Sequence, residues 1–172
     1  MVDLKPGDVF FTRGKSTLNK MVRFFTRSVG EPRTKVDHIG LVVGAPDTVV
    51  EALARVQQVP LGNRKAAVYR PLNLTEDEIA LIVTKARSYV GKKYSYIKVT
   101  THFLDWLLQG AYVFRRLGGL DPYPICSYLV AESFSAAGKN FGVSPGAASP
   151  DDCWDFVNSR PDKYQQVVPL EE

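Results

Sequence analysis

The sequence predicts a single α+β domain spanning residues 1–172. Stretches that read as strands and stretches that read as helices are segregated along the chain rather than strictly alternating, which disfavours a doubly wound parallel sheet. Two apolar, β-branched runs, "VDHIGLVV" and "TVVEALAR", are joined by "GAPD", a hairpin signal. The stretch "LTEDEIALIVTKARSYVG" combines an N-terminal capping box with apolar residues at helical spacing. At 172 residues, with 45% hydrophobic and 23% charged content, the chain is long enough to fill one core, and no linker, repeat or low-complexity tract divides it.

Taken in order, "GDVFFTRG" reads as a short strand. "STLNKMVRFFTRSVG" follows as a basic amphipathic helix, with Ser16 as N-cap and an apolar stripe at Leu18, Met21, Val22, Phe25 and Val29. In the hairpin, a four-residue loop at Gly44–Asp47 sets Val43 opposite Thr48, Gly40 opposite Glu51 and His38 opposite Leu53. "AAVYRP" is another strand. The capping-box helix begins at Thr75, has Glu78 as its third residue, carries Ile79, Ile82, Val83, Ala86 and Val90 on one face, and stops at Gly91. "THFLDWLLQGAYVFRRLGG" is a second, more apolar helix, weakened at Gly110. A helix opened by Cys126 ends at Gly138, another begins at Ser149 with Pro150 in its first turn, and "YQQVVPL" closes the chain as a strand.

The composition excludes several function classes. The longest apolar runs fall far short of a membrane span, and "MVDLKPGDVFF" lacks the pattern of a secretion signal, so a cytoplasmic site is expected. Two cysteines build no disulfide framework. With two histidines and neither CxxC nor HExxH, no metal site is expected. No P-loop is present, and neither a cofactor nor a nucleic-acid partner is expected. "GVSPG" matches the G-x-S-x-G serine elbow but reads as a turn: Pro145 has no N–H for an oxyanion hole, and no histidine follows Ser144.

The residue with chemical promise is Cys126, set after two prolines at the start of a helix. Helix starts gather unpaired N–H groups and the positive end of the dipole, and both favour a thiolate. Cys126 is thus either a small buried hydrophobe or an activated nucleophile, and the choice depends on a base. His102, near the start of an apolar helix, reads as a surface or pocket-lining imidazole. His38 interrupts an aliphatic strand, which requires a reason: a role at the site, or a buried imidazole bonded to backbone. The hairpin register makes His38 and Glu51 diagonal neighbours on one face, so the carboxylate can orient the imidazole. Glu51 lies within "VVEAL", where an unpaired charge is costly. Cys153, in "PDDCWDF", reads as structural.

These segments together resemble the NlpC-type cell-wall peptidase superfamily, in its circularly permuted, YiiX-like branch. "LKPGDVFFTRG" is similar to the superfamily's Leu-x-Pro-Gly-Asp segment, and "DHIGLVVGAPDTVVEA" to its His-x-Gly strand and the next strand. "VGKKYSY" resembles its Gly-x-x-Tyr segment, and "CSYLVAESFSAAG" its Cys-Ser-x-Leu-Val nucleophile helix. His38 precedes Cys126, the order of the permuted branch. The resemblance implies a papain-like fold in which the nucleophile helix packs on an antiparallel sheet or partial barrel. It implies Cys126 as nucleophile, His38 as general base and Glu51 as the group orienting it, with Tyr94 and Ser127 as oxyanion or substrate contacts. Ser95 stands where many relatives carry an acidic residue. The implied activity is hydrolysis of an amide bond, in a cell-wall peptide or related amide, through a thioester. The alternatives are an acyltransferase, a lipid amide or ester hydrolase of the same fold, and a non-catalytic binding protein that kept the fold.

Between Arg13 and Lys35 the chain carries seven basic residues (Arg13, Lys15, Lys20, Arg23, Arg27, Arg33, Lys35) against Glu31 alone. Such a run is commonly a solvated helix face. Lys20, Arg23 and Arg27 could also draw in an anionic polymer or lipid surface.

Overall fold

A computed structural model of the chain describes residues 3–14, 35–93 and 124–171. The expected basic helix over 16–30, with Lys20, Arg23 and Arg27, lies outside the described residues, as do Tyr94, Ser95 and the expected apolar helix with His102.

The described residues form an α+β arrangement. In chain order its elements are β1 (Val9–Thr12), β2 (His38–Gly44), β3 (Thr48–Ala52), β4 (Val56–Pro60), β5 (Ala66–Pro71), α1 (Glu76–Arg87), α2 (Cys126–Ser135), α3 (Pro150–Asn158) and β6 (Tyr164–Val168). The six strands make one sheet in the order β4-β3-β2-β1-β5-β6, and every neighbouring pair is antiparallel. Strand β4 has no counterpart in the sequence reading. Its segment, "VQQVP", has two glutamines and ends in proline, and it folds as an edge strand with alternate residues turned toward water.

The hairpin holds the expected register through its body, with Gly40 opposite Glu51, Leu41 opposite Val50 and Val42 opposite Val49. At the tip a bulge pairs Gly44, rather than Val43, with Thr48. The extra residue lets β2 run on to Gly44 and shortens the loop without turning Glu51 to the other face.

Strand alternation gives the sheet two buried faces. Val9, Phe11, Ile39, Leu41, Val50 and Tyr69 pack with all three helices in the larger core. Phe11, Tyr69 and Trp154 meet edge to face, with ring centroids 5.3–5.9 Å apart, and fasten α3 to the sheet. Burying each such ring contributes about 1.5–3 kcal/mol. The opposite face carries a second cluster with Phe10, Val42, Val49, Leu61 and Val68. The "PGD" turn leads into β1 and ties it to both neighbouring strands, the Gly7 N–H bonding the Val42 carbonyl of β2 at 3.0 Å. Gly7 adopts φ 95°, and Asp8, 1% exposed, accepts a fork of bonds from Arg70 of β5, Nε at 2.9 Å and Nη2 at 2.8 Å.

Thr75 and Glu78 form the expected capping box on α1, and Ser149 and Asp152 form one on α3 behind Pro150. Two helices end earlier than expected. Helix α1 stops at Arg87, where the Ser88 hydroxyl donates back to the Lys85 carbonyl at 2.6 Å, so Val90 lies beyond it and is exposed. Helix α2 stops at Ser135, and Gly138, at φ 69°, closes the turn that follows. "GVSPG" is a turn: the Ala147 N–H bonds the Ser144 carbonyl at 2.9 Å.

Candidate active site

Helix α2 packs against α1 and across β2 and β3, which brings its first residue to the strand end where His38 opens β2. Cys126 is 6% exposed. Its N-cap, Ile125, is extended and offers no side-chain oxygen to the first turn, so the positive end of the helix is not answered by the capping residue.

His38 belongs by alternation to the face of Gly40 and Val42, with Phe10 edge-on to its ring at 6.1 Å between centroids. Because it is the terminal residue of β2, its imidazole reaches the N-terminus of α2 as well as β3. The ring shares a side-chain hydrogen bond with Cys126. Nε2 lies 2.8 Å from Oε2 of Glu51, which leaves Nδ1 for the sulfur. The structure thus brings Cys126, His38 and Glu51 together.

Gly40 is what allows this packing. A Cβ at that position would sit 2.4 Å from Cε1 and Cζ of Phe10 and 3.1 Å from the Val50 carbonyl oxygen. The glycine of "HIG" therefore makes room for the ring that supports His38.

Glu51 is 1% exposed, and an ionised carboxylate that deep requires donors. Besides His38 it accepts Nη1 of Arg64 on both oxygens, at 3.0 and 2.8 Å, and Nε2 of Gln57 on Oε1 at 3.2 Å. Burial alone would raise the Glu51 carboxyl. Hydrogen bonds from His38 and Arg64 outweigh it and bring the group from 4.5 down to about 2. Burial likewise disfavours a charged His38, but its bonds to Cys126 and Glu51 carry it from 6.5 up to about 9.

Sequence reasoning missed Arg64 and Gln57. Arg64 comes from the loop between β4 and β5, where no periodicity marks it, and Gln57 from the strand that was not expected. The available signal was indirect: a carboxylate within "VVEAL" needs a cation, and His38 alone is a weak one above its usual titration range.

Ser127, expected as an oxyanion or substrate contact, turns its hydroxyl elsewhere. It is fully buried and donates to the Ala148 carbonyl at 2.6 Å, tying α2 to the segment ahead of α3. Only its backbone N–H belongs to the open end of the helix. Cys153 is also fully buried, and burial, reinforced by the charges of Asp152 and Cys126, pushes its thiol well above the usual range.

Among the described residues, no three of His, Cys, Asp and Glu gather as a metal cage would require, and no helix is long and apolar enough to cross a membrane. Comparison with family models, curated proteins and solved structures returns no match for this chain.

Proposed function

We propose that this chain is a cysteine hydrolase of papain-like fold in circularly permuted order, cleaving an amide bond through a thioester. The observation that carries the reading is the row Cys126–His38–Glu51, in which a thiol at a helix N-terminus is bonded to an imidazole whose far nitrogen is held by a buried carboxylate. The resemblance of "HIG" and "CSYLV" to the permuted NlpC-type branch supports the same roles.

In this reading the Cys126 sulfur attacks the substrate carbonyl while the Cys126 backbone N–H, at the positive end of α2, stabilises the oxyanion. His38, protonated on both nitrogens, gives its Nδ1 proton to the departing amine as the C–N bond breaks. Water then attacks the thioester. Nδ1 accepts the proton of that water, the C–S bond breaks, and the acid is released with the sulfur again beside the imidazolium. Glu51 keeps the ring oriented through Nε2 in both halves. An amine or hydroxyl acceptor in place of water would make the same intermediate the donor in an acyl transfer. Substrates of the class implied by the resemblance are cell-wall peptides and acyl amides.

The test is direct detection of the intermediate. The protein is incubated with cell-wall peptide fragments and acyl amides or esters, quenched in acid and digested, and the acyl mass adduct is located by mass spectrometry. An adduct on Cys126 that hydroxylamine removes, together with no turnover by Cys126→Ala, is the expected result. Full turnover by that variant would require another nucleophile.

A further inference from the structure

We propose that Arg64 is a positioning residue for the site: it keeps Glu51 an acceptor only, and thereby fixes one proton of His38 on Nε2 and leaves Nδ1 to exchange protons at the sulfur. This rests on the functional reading above.

The described partners of Glu51 surround its carboxylate with donors. A carboxylate offers about four lone-pair positions. Those of Glu51 are taken by His38 Nε2 and Arg64 Nη1 on Oε2, and by Arg64 Nη1 and Gln57 Nε2 on Oε1. Arginine and the glutamine amide nitrogen can only donate, so a proton on either oxygen of Glu51 would face a donor rather than an acceptor. Among the described partners His38 is the one whose ring nitrogen can supply or withhold a proton, and the filled carboxylate requires Nε2 to supply it. Without Arg64, moving that proton from Nε2 to Glu51 would remove two charges from a buried site, a transfer that low-dielectric surroundings favour. With Arg64 present, the same transfer would strand the guanidinium.

The guanidinium is itself held in place. Its Nε donates to the Leu61 carbonyl at 3.0 Å, and its carbon lies 5.5 Å from the centroid of Phe10, the ring that also meets His38. The loop that carries it is tied to the β2–β3 hairpin, because Asp47 accepts the Leu61 N–H on its backbone oxygen at 2.8 Å and the Gly62 N–H on its side chain at 2.9 Å. Arg64 therefore reaches Glu51 from a fixed backbone, with its outer edge in solvent.

The test uses the full chain with 15N-labelled histidine. The tautomer of His38 is read by NMR and the Cys126 alkylation rate by mass spectrometry, for the native protein, Arg64→Gln, Arg64→Met and Arg64→Lys, each also in a Glu51→Gln background. The native protein is expected to hold both ring protons while the imidazole is charged and, above its titration at about 9, to keep the one on Nε2. The two neutral variants are expected to lose that fixed signal and to alkylate about tenfold or more slowly, a size typical of partners that orient a working histidine. Arg64→Lys should recover part of the rate. With Glu51→Gln in place, the Arg64 substitutions should add nothing further, whereas a merely structural role would give the same loss in both backgrounds. Whichever neutral variant folds suffices for the comparison. An unchanged Nε2 signal and rate, or equal losses in both backgrounds, overturns the proposal. Slow alkylation of native Cys126, no faster than Cys153, would instead overturn the functional reading while the NMR comparison still decided the role of Arg64.

Discussion

His38 and Glu51 are diagonal partners across a hairpin: Gly40 is the residue directly opposite Glu51, yet Nε2 of His38 lies 2.8 Å from Oε2 of the carboxylate. The glycine between them has no side chain to interpose, and Phe10 fills the space it leaves. A hairpin slipped by one residue would put imidazole and carboxylate on opposite faces.

Replacing Glu51 with Gln keeps the shape of the side chain and removes its charge. Breaking a buried pair by altering one partner costs about 3–5 kcal/mol, because His38 and Arg64 lose the charge they are held against. Urea unfolding measures it. Turnover should be reduced but not abolished, since Cys126 and His38 remain.

Stability should depend on pH through the same pair. Glu51 titrates at about 2 in the folded protein against an ordinary 4.5, so its contribution is present above pH 4.5 and is lost as pH falls through 2. His38 titrates at about 9 against 6.5, so its contribution is complete below pH 6.5 and is lost as pH rises through 9. Both are complete between 4.5 and 6.5. Denaturant unfolding at successive pH values should show the native protein losing more stability between pH 6.5 and 9 than His38→Gln. Parallel losses would contradict the shift.

Gly40→Ala should destabilise the fold by about 1–3 kcal/mol, because the new methyl group overlaps a buried ring that cannot withdraw. It should also slow Cys126 alkylation, as Phe10 is driven toward His38. Thermal unfolding and a timed labelling assay read the two effects separately.

Ser127→Ala removes the hydroxyl that satisfies the Ala148 carbonyl, at a cost of about 1–3 kcal/mol. Because that hydroxyl is engaged by the Ala148 carbonyl, the chemical step on a confirmed substrate should change little when measured below the unfolding range. A large fall in kcat with unchanged stability would return Ser127 to the substrate contacts.

The parts of this arrangement that were legible in the sequence are those with local causes. Thr75 and Glu78 cap a helix within four residues, Ser149 opens another ahead of Pro150, and the body of the hairpin follows from alternation and loop length. Residues whose role depends on distant contacts were not legible. Strand β4 looks polar because it is an edge, the bulge at Gly44 shifts one pair without disturbing the pattern, and Arg64 is significant only because its loop is pinned to Asp47. Val90 kept the helical spacing but left the helix when Ser88 turned back on Lys85. Ser127 shows the converse, since its place beside Cys126 in the chain said nothing about where its hydroxyl points.

The most direct test of the central claim is competitive alkylation of the two cysteines at pH 6, with iodoacetamide and mass-spectrometric readout at each site. Cys126 beside a protonated His38 should label at least about tenfold faster than Cys153, whose thiol is held protonated by burial. His38→Asn should erase most of that difference. Equal, slow labelling of Cys126 and Cys153 in the native protein, or fast labelling of Cys126 that does not depend on His38, would contradict an activated nucleophile and leave the site as a binding surface.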